Sequence, residues 1–127
     1  MNKTLEDMDI YTKYNDLYYY TYLITEKYPK YEKNSLVSDI KHIVYLGFCD
    51  IVYAQKNFNK TERLKYLNKL DTELKVLKML IRISYKRKYI NINNYEAWSR
   101  KITNISNLMG AWIKACLKHQ RKVFINV

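Results

Sequence analysis

Apolar residues recur every three or four positions in four separate stretches of this 127-residue chain, a period that commits it to helices packed on one another. The first stretch spans about Leu5 to Lys27 and carries Ile10, Tyr14, Leu17, Thr21, Ile24 and Tyr28 on one face. Pro29 stops it, because the residue before a proline is pushed out of the helical region. The second, which Ser35 can cap, carries Val37, Ile40, Val44, Gly47, Ile51 and Ala54 and fades at Lys56-Asn57. The third, capped by Thr61, carries Leu67, Leu70, Leu74, Leu77, Ile81 and Ser84. The fourth starts at a capping-box-like Asn93 and Glu96 and carries Tyr95, Trp98, Ile102, Ile105, Met109, Trp112 and Cys116.

Two glycines and one proline leave little material for strand turns or phosphate-cradling loops. The expected fold is therefore all-α, an antiparallel up-down-up-down four-helix bundle. A single domain is expected over residues 1–122, with 123–127 a short C-terminal tail. No apolar run approaches the roughly 20 residues needed to span a bilayer, and the segment MNKTLEDMDIY has no apolar signal region. Cys49 and Cys116 stand alone, as thiols in a reducing compartment do, so the expected location is the cytoplasm and no membrane contact is foreseen.

Catalytic and metal chemistry lack raw material. His42 and His119 are the only histidines. Asp39 and His42, like Cys116 and His119, stand three apart on a helix face, but a zinc site needs further converging ligands. Neither histidine follows an arginine at the spacing of helical HEPN-type ribonucleases, and no phosphate-binding glycine loop or nucleophile elbow occurs. The expectation is a non-enzyme with no cofactor and no metal.

Charge is distributed very unevenly. Residues 1–59 carry 7 Lys/Arg against 8 Asp/Glu, and residues 60–127 carry 16 against 4, giving the net charge of +11. Such a field favours polyanionic partners, RNA or DNA first among them. On the third helix Lys78 and Arg82 stand one turn apart in the otherwise apolar run VLKMLIRISY; Lys75 and Lys86 extend their line and Arg87 thickens its end. On the fourth, Arg100, Lys114, Lys118 and Arg121 fall opposite the apolar stripe, with Asn104 and Asn107 between them. Both lines are candidate phosphate contacts giving affinity without sequence readout.

The run IVYLGFCDIVYA, Ile43 to Ala54, carries one charge and is apolar almost all round. A bundle helix needs one buried face, so Tyr45, Phe48, Cys49 and Val52 are expected to form a second one, covered by another subunit.

Several of these pieces resemble the accessory variability determinant family of diversity-generating retroelements, within a wider superfamily of small bacterial four-helix bundles that includes proteins encoded in ribosomal RNA intervening sequences. The resemblance covers about residues 14–119. It lies in Tyr28-Pro29, the second-helix run SLVSDIKHIVYLGFCDIVYAQK, the third-helix run LDTELKVLKMLIRI and the fourth-helix ending Asn107-Leu-Met-Gly110-Ala111-Trp112-Ile113-Lys114. Gly110 and Ala111 would let a neighbouring helix approach while Trp112 fills the core. Where the family has Gly-Arg before that ending, this chain has Ser106-Asn107. The resemblance implies a non-enzymatic accessory factor that assembles as a barrel-shaped homopentamer and binds nucleic acid. It also implies association with the element's reverse transcriptase in mutagenic copying of a template RNA (mutagenic retrohoming). Two other readings fit the same residues: an oligomeric protein–protein adaptor, and an intervening-sequence-type bundle with no reverse transcriptase partner.

Overall fold

The computed structural model describes the backbone of residues 8–125 and the side chains as far as Lys118. Four helices account for nearly all of it: α1 (Asp9–Thr25), α2 (Leu36–Lys56), α3 (Lys60–Lys86) and α4 (Ile92–Ile125), with a 3-10 turn at Lys30–Glu32. Residues 123–125 of the expected tail thus continue α4 as helix, and residues 5–7 of the first expected helix lie outside the described residues.

The four apolar stripes meet in one core. Leu17, Ile40, Ala54, Leu67, Leu70, Leu77, Ile81, Trp98, Ile102 and Ile105 are fully buried there. α2 packs on α1 and α3, and α4 on α3 and α1, so the helices follow one another around the bundle. Neighbours run antiparallel: Tyr14 meets Phe48 while Tyr22 lies under the Lys41 ammonium, and Tyr20 packs on Trp98 while Asp16 pairs with Lys101. Between α1 and α4 the buried Trp98 Nε1 donates to Thr21 Oγ1 at 3.2 Å, and that hydroxyl donates to the Leu17 carbonyl at 2.8 Å. One threonine thus satisfies both itself and the indole, as a buried polar pair must.

The helix starts differ in detail from the sequence reading. Ser35 occupies the N-cap position of α2, but its hydroxyl donates to Glu32 Oε1 at 2.6 Å instead of capping the helix. Asn59, not Thr61, caps α3, its side chain accepting from the Glu62 N–H. Asn91 does the same for α4, accepting from the Asn94 N–H at 2.8 Å, two residues before the expected Asn93. Either asparagine has the short acceptor a cap requires, so composition alone did not choose between neighbours. The close helix approach expected at Gly110 and Ala111 does not occur inside the protomer: nothing lies within 4 Å of where a Gly110 Cβ would sit, and Ala111 is exposed.

Candidate nucleic-acid interface and assembly face

The cations of α3 are placed by the helix that buries Leu70, Leu74, Leu77 and Ile81. Lys75, Lys78, Arg82 and Lys86 follow at intervals of three and four, so they form one line, and all four are exposed. Lys75 is tied to Asp71 by an ion pair of 2.8 Å, whereas Lys78, Arg82 and Lys86 make no ion pair among the described residues. Tyr85, seven residues after Lys78 and on the same face, packs against Tyr95 of α4 in a tilted arrangement with ring centroids 5.0 Å apart. The cationic line therefore lies on the flank of α3 turned toward α4. Arg87, also exposed, has its guanidinium 5.8 Å from the Tyr89 ring and its Nε 3.4 Å from the Tyr89 hydroxyl.

The α4 line sits outward in the same way. Arg100, Asn104, Asn107, Lys114 and Lys118 are exposed, and the Arg121 side chain lies outside the described residues. Arg100 borders a polar cleft of about 260 Å³ between α1 and α4, lined also by Lys13, Asp16, Lys101 and Asn104. Lys101, by contrast, is held: its Nζ is 2.7 Å from Asp16 Oδ2 and 5.1 Å from the Tyr20 ring centroid. Arg63 is likewise committed, donating from Nε to the Ala54 carbonyl at 2.8 Å and from a terminal nitrogen to Asn57 at 2.7 Å. It closes the C-terminus of α2 and lies over Trp112, so its role is structural.

Around α2 the second apolar face is present. Tyr45, Phe48, Cys49 and Val52 line one open groove of about 430 Å³ with Tyr18 and Tyr53. Tyr45 and Tyr53 are 53% and 44% exposed, while Cys49 and Val52 are half-buried. Phe48 contributes only part of its ring, because it is wedged edge-on among Tyr11, Tyr14 and Tyr18 of α1. A further apolar ridge, Val76, Met79 and Ile83, stands exposed on α3 beside the cations. Sequence reading took that run as a contact surface for its cations alone. The ridge was legible, since the three residues fall off the buried stripe at helical spacing.

At the end of the bundle where α1 meets α2 and α3 meets α4, hydroxyls tie the two connections together. Tyr89 donates to Glu32 Oε2 at 2.7 Å and is 3.2 Å from the Tyr31 hydroxyl. The Ser35 and Tyr89 hydrogen bonds hold the Glu32 carboxyl below its ordinary range. The bonds to Tyr31 and to Glu32 push the Tyr89 phenol up to about 12.

The described residues hold no group of three or more His, Cys, Asp or Glu arranged for a metal; Asp39 and His42 are both exposed, and the His119 side chain lies outside the described residues. No described helix is long and apolar enough to cross a membrane.

An all-helical bundle with an apolar groove on one side and, among the described residues, cations outside any ion pair on another defines the class, a small four-helix-bundle protein. The chain belongs to the bAvd-like family, whose family model matches residues 8–116. The match runs through all four helices and ends on the buried Cys116. No curated protein matches the chain.

Proposed function

We propose that this protein is an accessory factor of a diversity-generating retroelement that binds nucleic acid through its α3–α4 cations and associates with the element's reverse transcriptase. In that role it supports mutagenic copying of template RNA and performs no catalysis itself. Family membership supports the accessory role. The observation that carries the nucleic-acid reading is the line of Lys78, Arg82 and Lys86, exposed and without an ion pair among the described residues. Arg100, Lys114 and Lys118 on α4 supply further exposed cations without an ion pair among the described residues. Unpaired surface cations at one-turn spacing can displace condensed counterions from a phosphate backbone, giving affinity that is strong, sequence-tolerant and salt-sensitive.

The uncovered groove of Tyr18, Tyr45, Phe48, Cys49, Val52 and Tyr53 supports self-assembly, with a homopentameric ring as the form the family resemblance implies. The α3 ridge of Val76, Met79 and Ile83 offers a second, different apolar surface. A groove on one copy meeting a ridge on the next is a head-to-tail contact, the kind that closes into rings. The same cations also suit an oligomeric protein–protein adaptor that meets an acidic protein, and that reading makes no use of bulk nucleic acid.

Binding of single-stranded RNA across a salt series, with Lys78→Glu/Arg82→Glu in parallel, decides between them. Affinity that falls steeply with salt and collapses in the double variant supports the nucleic-acid function. Weak binding, unchanged in the variant, rejects it in favour of the adaptor.

A further inference from the structure

Two carboxylates are buried in the seam between α2 and α3. Asp50 is 1% exposed and Glu73 8%, and each leaves one oxygen, Asp50 Oδ2 and Glu73 Oε2, without a hydrogen-bond partner. The nearest cation is Lys69, one turn before Glu73, with Nζ 3.8 Å from Asp50 Oδ1 and a side chain that is 55% exposed. Among the described residues, the other elements bring no compensating charge. From α1 comes Tyr14, whose hydroxyl is already given to the Val44 carbonyl. From α2 comes the Cys49 thiol beside Asp50, and α4 presents Ile102, Ile105 and Met109 to the core.

Two ionised carboxylates facing each other out of water, with one half-solvated ammonium between them and the surface, are short of a positive charge. A single proton removes the deficit. A protonated Glu73 donates to Asp50 and occupies the orphaned oxygens, and the remaining negative charge faces Lys69. A carboxyl pair in contact titrates as a unit, one group giving up its proton far later than a free carboxyl would.

We propose that Asp50 and Glu73 hold one proton between them in the folded bundle, and that losing it loosens α2 from α3. The pair is then a pH-sensitive latch beneath the helix that carries the outer apolar groove, with Cys49 and Tyr53 of that groove one residue before and three after Asp50. Burial first, and the Asp50 carboxyl second, push Glu73 up to about 8. A carboxyl raised in the folded state binds its proton more tightly there than in the unfolded chain. Its contribution to stability is therefore fully present below the ordinary carboxylate range and is lost as pH rises through the folded value. The latch is closed in neutral and mildly acidic solution and opens in mildly alkaline solution.

The test uses the full chain with its glutamate side-chain carboxyls carbon-13 labelled. NMR from about pH 4 to pH 10 follows each carboxyl, and thermal melting of the wild type, Glu73→Gln and Asp50→Asn covers the same range. The expected result is one glutamate resonance with a midpoint far above the others, assigned by its absence in Glu73→Gln and shifted downward in Asp50→Asn. Wild-type melting should fall between the ordinary carboxylate range and about pH 8 more steeply than that of Glu73→Gln, which carries a neutral side chain at every pH. No glutamate titrating above the ordinary range, with parallel melting curves for wild type and Glu73→Gln, would overturn the proposal. The wild-type NMR titration decides the matter alone if a variant does not fold.

Discussion

The Tyr14 hydroxyl crosses from α1 to the Val44 carbonyl on α2, 2.6 Å away, and fills the space where any side chain on Gly47 would have to go. Gly47 is buried in the α2 stripe and lies in ordinary helical conformation, so it is required by this contact and not by the backbone. A Cβ there would press on the Tyr14 ring carbon at 2.9 Å and on Leu70 Cδ1 at 3.1 Å. Gly47→Ala should therefore cost about 1–3 kcal/mol through overpacking, despite alanine's better helix propensity. Tyr14→Phe should cost about 1 kcal/mol for the lost hydrogen bond and should reduce the penalty of Gly47→Ala when the two are combined. Urea unfolding of the four proteins in the cycle measures the coupling, and strict additivity would show that the hydroxyl and the glycine are independent.

Lys88 is the one non-glycine residue with positive φ, at 65°, among the described residues. It follows α3, where the Tyr89 N–H reaches back to the Ser84 carbonyl at 3.0 Å and the Lys88 N–H to Tyr85 at 2.9 Å. That ending favours glycine, because a Cβ in the left-handed region meets its own carbonyl. Lys88→Gly should raise stability by about 0.5–1 kcal/mol in thermal or denaturant melts. A destabilised variant would mean that the lysine side chain makes up more than its backbone costs.

The core was legible because burial and period are the same fact in a helix. Every stripe position from Ile10 to Tyr28 on the first helix, and from Leu67 to Ser84 on the third, is buried. The outer groove was legible for a related reason: IVYLGFCDIVYA has more apolar residues than one face can bury. Asp50 was not. A lone acid in an apolar run reads as the solvent-facing residue, and only the facing helix, with Glu73 beside Leu74, shows that it points inward. The caps went astray by a residue or two because asparagine and serine crowd each connection, and the choice among them is made by chain geometry.

The Glu32 carboxylate, accepting from Ser35 and Tyr89 at 2.6 and 2.7 Å, is held below its ordinary range. A depressed folded value means that its contribution is present above the ordinary carboxylate range and is lost as pH falls through the folded one. Glu32→Gln should flatten the acid limb of the stability profile between about pH 5 and pH 3. Melting temperature against pH for both proteins checks this.

Tyr45 and Val52 face the groove, and Tyr45 is 53% exposed in the protomer, so a charge there has little to disturb within one bundle. Tyr45→Glu/Val52→Glu should keep the helical circular dichroism of the wild type. In an assembly that covers the groove, the two carboxylates would be buried unpaired, which costs several kcal/mol per contact, about enough to dissociate it at micromolar concentration. Sedimentation velocity of both proteins reads the outcome: a wild type that is already monomeric removes the assembly reading.

The two cationic lines make separable predictions about salt. If one polyanion crosses both α3 and α4, each cation that meets a phosphate of single-stranded RNA contributes about 0.7 to the slope of log affinity against log salt. Lys78→Gln/Arg82→Gln should then lower the slope by about 1.4, and Arg100→Gln/Lys114→Gln by a similar amount, with all four substitutions together lowering it by about twice that. Asp71 holds Lys75 at 2.8 Å, so Lys75→Gln should change the slope less than Lys78→Gln does. Glutamine removes the charge and keeps an uncharged, polar, helix-favouring side chain at these exposed positions, so helix packing is preserved while the counterion count changes. A slope altered by the α3 pair but not by the α4 pair would confine the bound strand to the flank beside Tyr85, leaving Arg100 and Lys114 as solvated charges.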